Sequence, residues 1–98
     1  MSTDERTEIK SRIRSEIQRF ALFMDLKLSK HERQRGDSWR DEPVSYLMDR
    51  LEEEVEELKA AVAGGESAVR ITAEAADVAN FAMMIHEVRD VCPEDSIL

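Results

Sequence analysis

Glu54, Glu57, Glu74 and Asp77 are the residues of this chain whose types and spacing can do chemistry. They form two pairs, Glu54-x-x-Glu57 and Glu74-x-x-Asp77. On a helix, i, i+3 spacing puts both members of a pair on one face, about a turn apart. Four carboxylates brought together repel one another unless a cation neutralises them. Oxygen-only ligation suits Mg²⁺, with Mn²⁺ as an alternative, rather than Zn²⁺. Mg²⁺ usually keeps waters and shares its coordination with substrate phosphates. The chemistry indicated is attack on a phosphate by an activated water.

The two pairs do not carry equal weight. Five of the six positions from 52 to 57 are Glu, so one such pair arises easily, and Glu53 with Glu56 makes another that faces elsewhere. Glutamates beside a helical stripe are ordinarily solvated or paired with Lys and Arg. Glu74 and Asp77 are different, because they interrupt the small and apolar run from Ile71 to Ile85. Charges in such a setting are costly unless they are paired or liganded.

The elements that must position these acids are helical. Gly and Pro are scarce, three and two residues, and the first 35 residues contain neither. Ile9, Ile13, Ile17, Phe20 and Met24 recur every three or four residues and predict a first amphipathic helix, capped at Ser2, Thr3 or Asp4 and closed by Gly36. Leu22, Leu26 and Leu28 widen its apolar surface, as burial against both its own chain and a second subunit would require. Residues 36–42 read as a loop. Pro43 then favours the first turn of a second helix with the stripe Leu47, Leu51, Val55, Leu58 and Val62, ended by Gly64-Gly65. Ser67 or Thr72 starts a third, with the stripe Ile71, Ala75, Val78, Ala82 and Ile85, stopped by Pro93. At roughly 100° per residue, Glu54 and Glu74 each lie roughly 60° from their stripe, and Glu57 and Asp77 roughly 120° to the same side. The fold class expected is all-α: one domain over residues 1–98, a bundle of three main helices that completes a thin core by oligomerisation into a four-helix or larger bundle.

Composition limits the partners. The net charge is −8, from 22 acids against 14 bases, which does not suit non-specific nucleic-acid binding. A basic stretch (Lys27, Lys30, His31, Arg33, Arg35, Arg40) precedes an acidic one (Asp49, Glu52, Glu53, Glu54, Glu56, Glu57), an arrangement that can serve an anionic ligand arriving with a metal. Cys92 is the only cysteine, so no intrachain disulfide forms. No apolar run reaches the ~20 residues needed to span a bilayer, and Met1 to Lys10 is too polar for a signal peptide. The expectation is a cytoplasmic protein.

With both acid pairs in order on helices, the chain resembles the MazG-type, all-α nucleoside triphosphate pyrophosphohydrolase superfamily. That superfamily carries E-x-x-E on one helix and E-x-x-D on the next. Here they stand as Glu54-Val55-Glu56-Glu57-Leu58 and Glu74-Ala75-Ala76-Asp77-Val78, with sixteen residues between Glu57 and Glu74. The apolar run Val78 to Ile85 and Trp39 in the loop before the first motif helix also match, so the resemblance covers roughly residues 20–90. It implies Mg²⁺-dependent hydrolysis of an NTP or dNTP to the monophosphate and pyrophosphate, as in house-cleaning of non-canonical nucleotides. It further implies metal ligation by Glu54, Glu57, Glu74 and Asp77, with Glu54 or Glu57 orienting the attacking water, and a homodimer or homotetramer.

The chain departs from the family where many members hold phosphates with a tyrosine just after the aspartate or with later lysine and asparagine. Phe81 follows Asn80 here, and the sequence closes soon after Cys92. Phosphate binding then falls to Lys27, Lys30, Arg33 or Asn80, while Trp39 either stacks on a base or covers the edge of the core. His31 and His86 read as surface residues. The competing reading is a non-catalytic acidic helical module that keeps the family fold.

Overall fold

The computed structural model describes residues 12–36 and 38–88, apart from the side chain of Arg35. Among these residues there are three α-helices and no strand: α1 (Ser15–Arg35), α2 (Val44–Ala63) and α3 (Ala68–Val88), with a 3-10 turn at Ser38–Asp41. The all-α expectation of three main helices holds. The caps expected at Ser2, Thr3 or Asp4, the apolar residue Ile9, the stop at Pro93 and the tail from Glu94 lie outside the described residues.

The first helix departs from its predicted course. Arg14 is extended (φ −54°, ψ 141°), so Ile13 precedes α1 instead of belonging to its stripe. The carbonyl of Ile13 accepts from the Gln18 side-chain amide at 2.6 Å, which gives the chain a local alternative to another helical turn. At the other end Gly36 takes φ +67°, and its N–H donates to the Glu32 carbonyl at 2.8 Å.

Pro43 sits one residue earlier than expected, at the N-cap of α2, where its carbonyl receives the N–H groups of Tyr46 and Leu47. The turn between α2 and α3 is built by two bonds. Glu66 N–H donates to the Ala61 carbonyl and Gly65 N–H to that of Val62, each at 3.1 Å, with Gly65 at φ +62°. This 6→1 and 5→2 pattern is a Schellman C-cap, and it needs the left-handed residue that glycine supplies. Ser67 caps α3, its Oγ accepting from Arg70 N–H at 3.2 Å. So short a connection makes α2 and α3 an antiparallel hairpin.

Within this hairpin α3 is the shared element. It packs most extensively against α2, then against α1, and also touches the 3-10 turn. Trp39, Leu47 and Met84 form the buried cluster, with Leu28, Phe81 and Ile85 partly buried around it. Asn80 ties α3 to α1, its Nδ2 donating to the Met24 carbonyl at 2.9 Å.

The buried faces differ from the predicted stripes. On α2 the buried residues are Leu47, Glu54 and Ala61, while Leu51, Val55 and Leu58 are half-buried and Val62 is 57% exposed. Positions seven apart stay in line along a helix that packs closely on a neighbour, so 47, 54 and 61 form one seam. On α3 the buried residues are Glu74, Ala76, Asn80 and Met84, and Ala82 of the predicted stripe is exposed. No described helix is long and apolar enough to cross a membrane.

Candidate metal centre

The seam between α2 and α3 brings the acids together. Glu54 stands ten residues before Gly64 and Glu74 ten residues after it, so the two are level across the antiparallel hairpin. Each is on the inner face and not at its margin as the helical arithmetic had it: Glu54 is 6% exposed and Glu74 5%. Glu57, one turn nearer the hairpin end, is exposed. A carboxylate oxygen from each of Glu54, Glu57 and Glu74 lies within 4.8 Å of the others.

Asp77 is not in that group of three. It lies one turn from Glu74 in the opposite direction along the hairpin, and its Oδ2 is 3.3 Å from Lys27 Nζ. The expected cluster of four therefore forms as three acids plus a neighbour held by a cation from α1. Lys27 thereby reaches the site. Lys30 and Arg33 are exposed on α1.

The buried oxygens divide in the same way on both helices. Glu54 Oε1 accepts from Arg50 Nη2 at 3.0 Å, and Arg50 also pairs with Glu53. Glu74 Oε1 forms an ion pair with Arg70 Nη2 at 3.0 Å, and Arg70 also lies 3.5 Å from Glu66. The other oxygen of each glutamate, Oε2, is buried with no hydrogen-bond partner. A buried bare carboxylate oxygen is expensive, and one on each of the two buried glutamates of the cluster is the observation that calls for a ligand.

The electrostatics follow from this crowding. Burial pushes the Glu54 carboxyl up to about 7; a hydrogen bond and charge from Glu57 and the charge of Asp77 push the same way, and Arg50 opposes them. Glu74 is also raised, first by burial, with Glu57 and Asp77 adding to it and Arg70 opposing it. Without a cation the site favours a retained proton. A divalent ion would replace that proton, and an all-oxygen donor set fits a hard ion.

Beside the acids is a cleft of about 230 Å³, lined among others by His31, Trp39, Tyr46, Arg50 and Phe81. Arg50 joins cleft and cluster: its guanidinium lies 5.1 Å from the Phe81 ring centroid and binds Glu54. Trp39 is 4% exposed and belongs to the core as well as to the cleft wall, with Arg40 at 4.3 Å from its ring centroid. Its Nε1 is buried without a partner. Asn80 does not line the cleft, and its amide nitrogen is committed to Met24. His31, read as a surface residue, is half-buried and lines the cleft, while His86 is exposed.

Arg50, Arg70 and Tyr46 are the residues that sequence reasoning missed. A signal for the arginines was present: each stands four residues before the first acid of its motif, as Arg50…Glu54 and Arg70…Glu74. Nothing comparable marks Tyr46, which enters the cleft by its place in the first turn of α2.

No curated protein and no solved structure matches the chain. One family does, described as phosphoribosyl-ATP pyrophosphohydrolase, over residues 18–97, a span that contains both motif helices and most of α1. The chain therefore belongs to the phosphoribosyl-ATP pyrophosphohydrolase family, within the MazG-like all-α pyrophosphohydrolases anticipated from its two acid pairs.

Proposed function

We propose that the protein is a Mg²⁺-dependent nucleotide pyrophosphohydrolase, cleaving an NTP or dNTP substrate to the monophosphate and pyrophosphate. The observation that carries this reading is the pair of buried, unpartnered oxygens, Glu54 Oε2 and Glu74 Oε2, beside the Glu57 carboxylate. Glu54, Glu57 and Glu74 would hold the ion, joined by Asp77 if it exchanges Lys27 for the metal. Bound there, Mg²⁺ would neutralise phosphate charge and favour ionisation of a water.

Of the two acids named for orienting that water, exposure favours Glu57. Glu54 is buried, and its carboxylate would be taken up by the ion and by Arg50. The ion pair between Lys27 and Asp77 supports Lys27 as a phosphate contact. Lys30 and Arg33, exposed on the same helix, add positive charge for an incoming polyphosphate. The cleft with Trp39 and Tyr46 is the place for the nucleoside. Asn80 is given a structural part, through Met24.

We also propose self-association, as a homodimer or homotetramer, of a single helical domain working in the cytoplasm. Exposed apolar side chains support association: Ile17 (55%), Leu22 (59%), Leu26 (57%) and Val69 (81%).

The test is pyrophosphate release with Mg²⁺ from a panel of NTPs, dNTPs and phosphoribosyl-ATP, the substrate in the family's name. Turnover of one or more is expected, and the panel ranks the triphosphates. No turnover, together with no Mg²⁺ or Mn²⁺ binding by calorimetry, would leave only the non-catalytic module. Sedimentation that finds only monomer at micromolar concentration would refute the assembly.

A further inference from the structure

We infer that Arg50 and Arg70 are positioning residues of the metal centre: each grips one oxygen of a buried glutamate and so aims the other at the ion. The inference rests on the metal reading above and concerns this chain's own side chains.

Three observations carry it. The first is the division of oxygens. Arg50 and Arg70 each take Oε1 of their glutamate at 3.0 Å, and in both cases Oε2 is left buried and bare. The second is burial. The glutamate side chains are 8% and 7% exposed in these pairs, against 72% for Glu56 in its pair with Lys59 on the outer face of α2. The third is order along the helix. In both pairs the base precedes the acid, which is the less favourable direction for an i, i+4 pair in an isolated helix. Helix stabilisation is therefore a poor reason for both motif helices to carry the same arrangement.

A carboxylate that swivels about its terminal bond loses affinity for a metal, because orientation must be restored on binding. Hydrogen bonds from outside the ligand shell remove that freedom, and deleting such a partner typically weakens metal binding about 10–100-fold. The rival idea is competition, in which guanidinium and metal want the same oxygen and removing the arginine tightens binding. The two ideas predict opposite signs.

Arg70 gives the cleaner variant, since its side chain is 57% exposed, whereas Arg50 also packs over Phe81 and lines the cleft. The experiment is calorimetric titration of the full chain with Mn²⁺ and no nucleotide, for wild type, Arg70→Gln, Arg70→Lys and Arg50→Gln, with helicity checked by circular dichroism. The expected result is a Kd raised about 10–100-fold in both Gln variants, with part of the loss restored in Arg70→Lys, whose ammonium can still donate to Oε1. Wild-type binding with an unchanged or lower Kd in Arg70→Gln would overturn this inference and leave the proposed function standing. Absence of Mn²⁺ binding by wild type would overturn both. Should Arg50→Gln lose helicity, the Arg70 pair alone decides.

Discussion

Replacing Glu54 by Gln should stabilise the metal-free protein at neutral and alkaline pH while destroying its response to metal. The carboxyl midpoint is about 7 in the fold against an ordinary 4.5. Keeping it charged in the fold therefore costs at most roughly 3 kcal/mol, and the attraction to Arg50 is already contained in that figure. Relaxation of the side chain toward water reduces it, and about 1–2 kcal/mol is a reasonable net value. Glutamine can still accept from Arg50 and can donate to a carboxylate oxygen of Glu57 in the same cluster. For a domain of this size the gain corresponds to about 5–15 °C in Tm.

The sign with pH follows from the raised midpoint. Below 4.5 the folded and unfolded chains both hold the proton, and Glu54 has no effect. Between 4.5 and about 7 the unfolded chain releases it first, so wild-type stability falls as pH rises. Above about 7 the penalty is complete. Thermal melts in chelator at pH 8 should place Glu54→Gln above wild type, and melts at pH 4 should bring the two together. Adding Mg²⁺ at 100 times its Kd should then raise wild type by about 2.7 kcal/mol and leave the variant unmoved. A variant that melts below wild type in chelator at pH 8 would refute the reasoning, because the Arg50 pair would then outweigh the burial penalty.

Three further outcomes are expected. Glu74→Gln and Asp77→Asn should each lower turnover by more than about 100-fold with helicity unchanged by circular dichroism, since even partners outside the ligand shell are worth 10–100-fold; a fully active variant would mean the site is misplaced. Leu47→Ala, at a fully buried position beside Trp39 and Met84, should lose about 2–5 kcal/mol in denaturant melts. Asn80→Ala should destabilise by about 0.5–1.5 kcal/mol, the loss of one bond to the Met24 carbonyl, and should change KM little; a large rise in KM with unchanged stability would return Asn80 to the substrate.

The fold was legible wherever local chemistry decided it. Gly36 and the Gly64-Gly65 turn could be read off as punctuation, because each answers to a backbone requirement that few residues satisfy, and of the two starts offered for the third helix, Ser67 and Thr72, Ser67 is the one that caps it. Ile13 could not, since its place before α1 depends on a side-chain bond from Gln18 that no apolar pattern reveals. The inward faces were misjudged for a related reason. A stripe of Leu and Val marks what must leave water, yet Leu51, Val55 and Leu58 are only half-buried in this chain, and the seam runs through Glu54. Glu54, drawn from a run of glutamates, is as buried as Glu74 from its apolar setting.

That burial makes the two arginines intelligible. A glutamate at the centre of a helix–helix seam needs compensation along the whole path to the folded, metal-free state, since an ion could be held only once the site exists. Arg50 and Arg70 provide part of it from within their own helices, at i, i+4, where the contact forms with the helix itself and needs no tertiary partner. They leave the remaining oxygens bare, and the raised carboxyl of Glu54 measures how incomplete the compensation is. The cluster is thus compensated in part and keeps two bare oxygens that a cation could take. A substitution that satisfies it internally, such as Glu54→Gln, should gain stability by the same contacts through which it loses the metal.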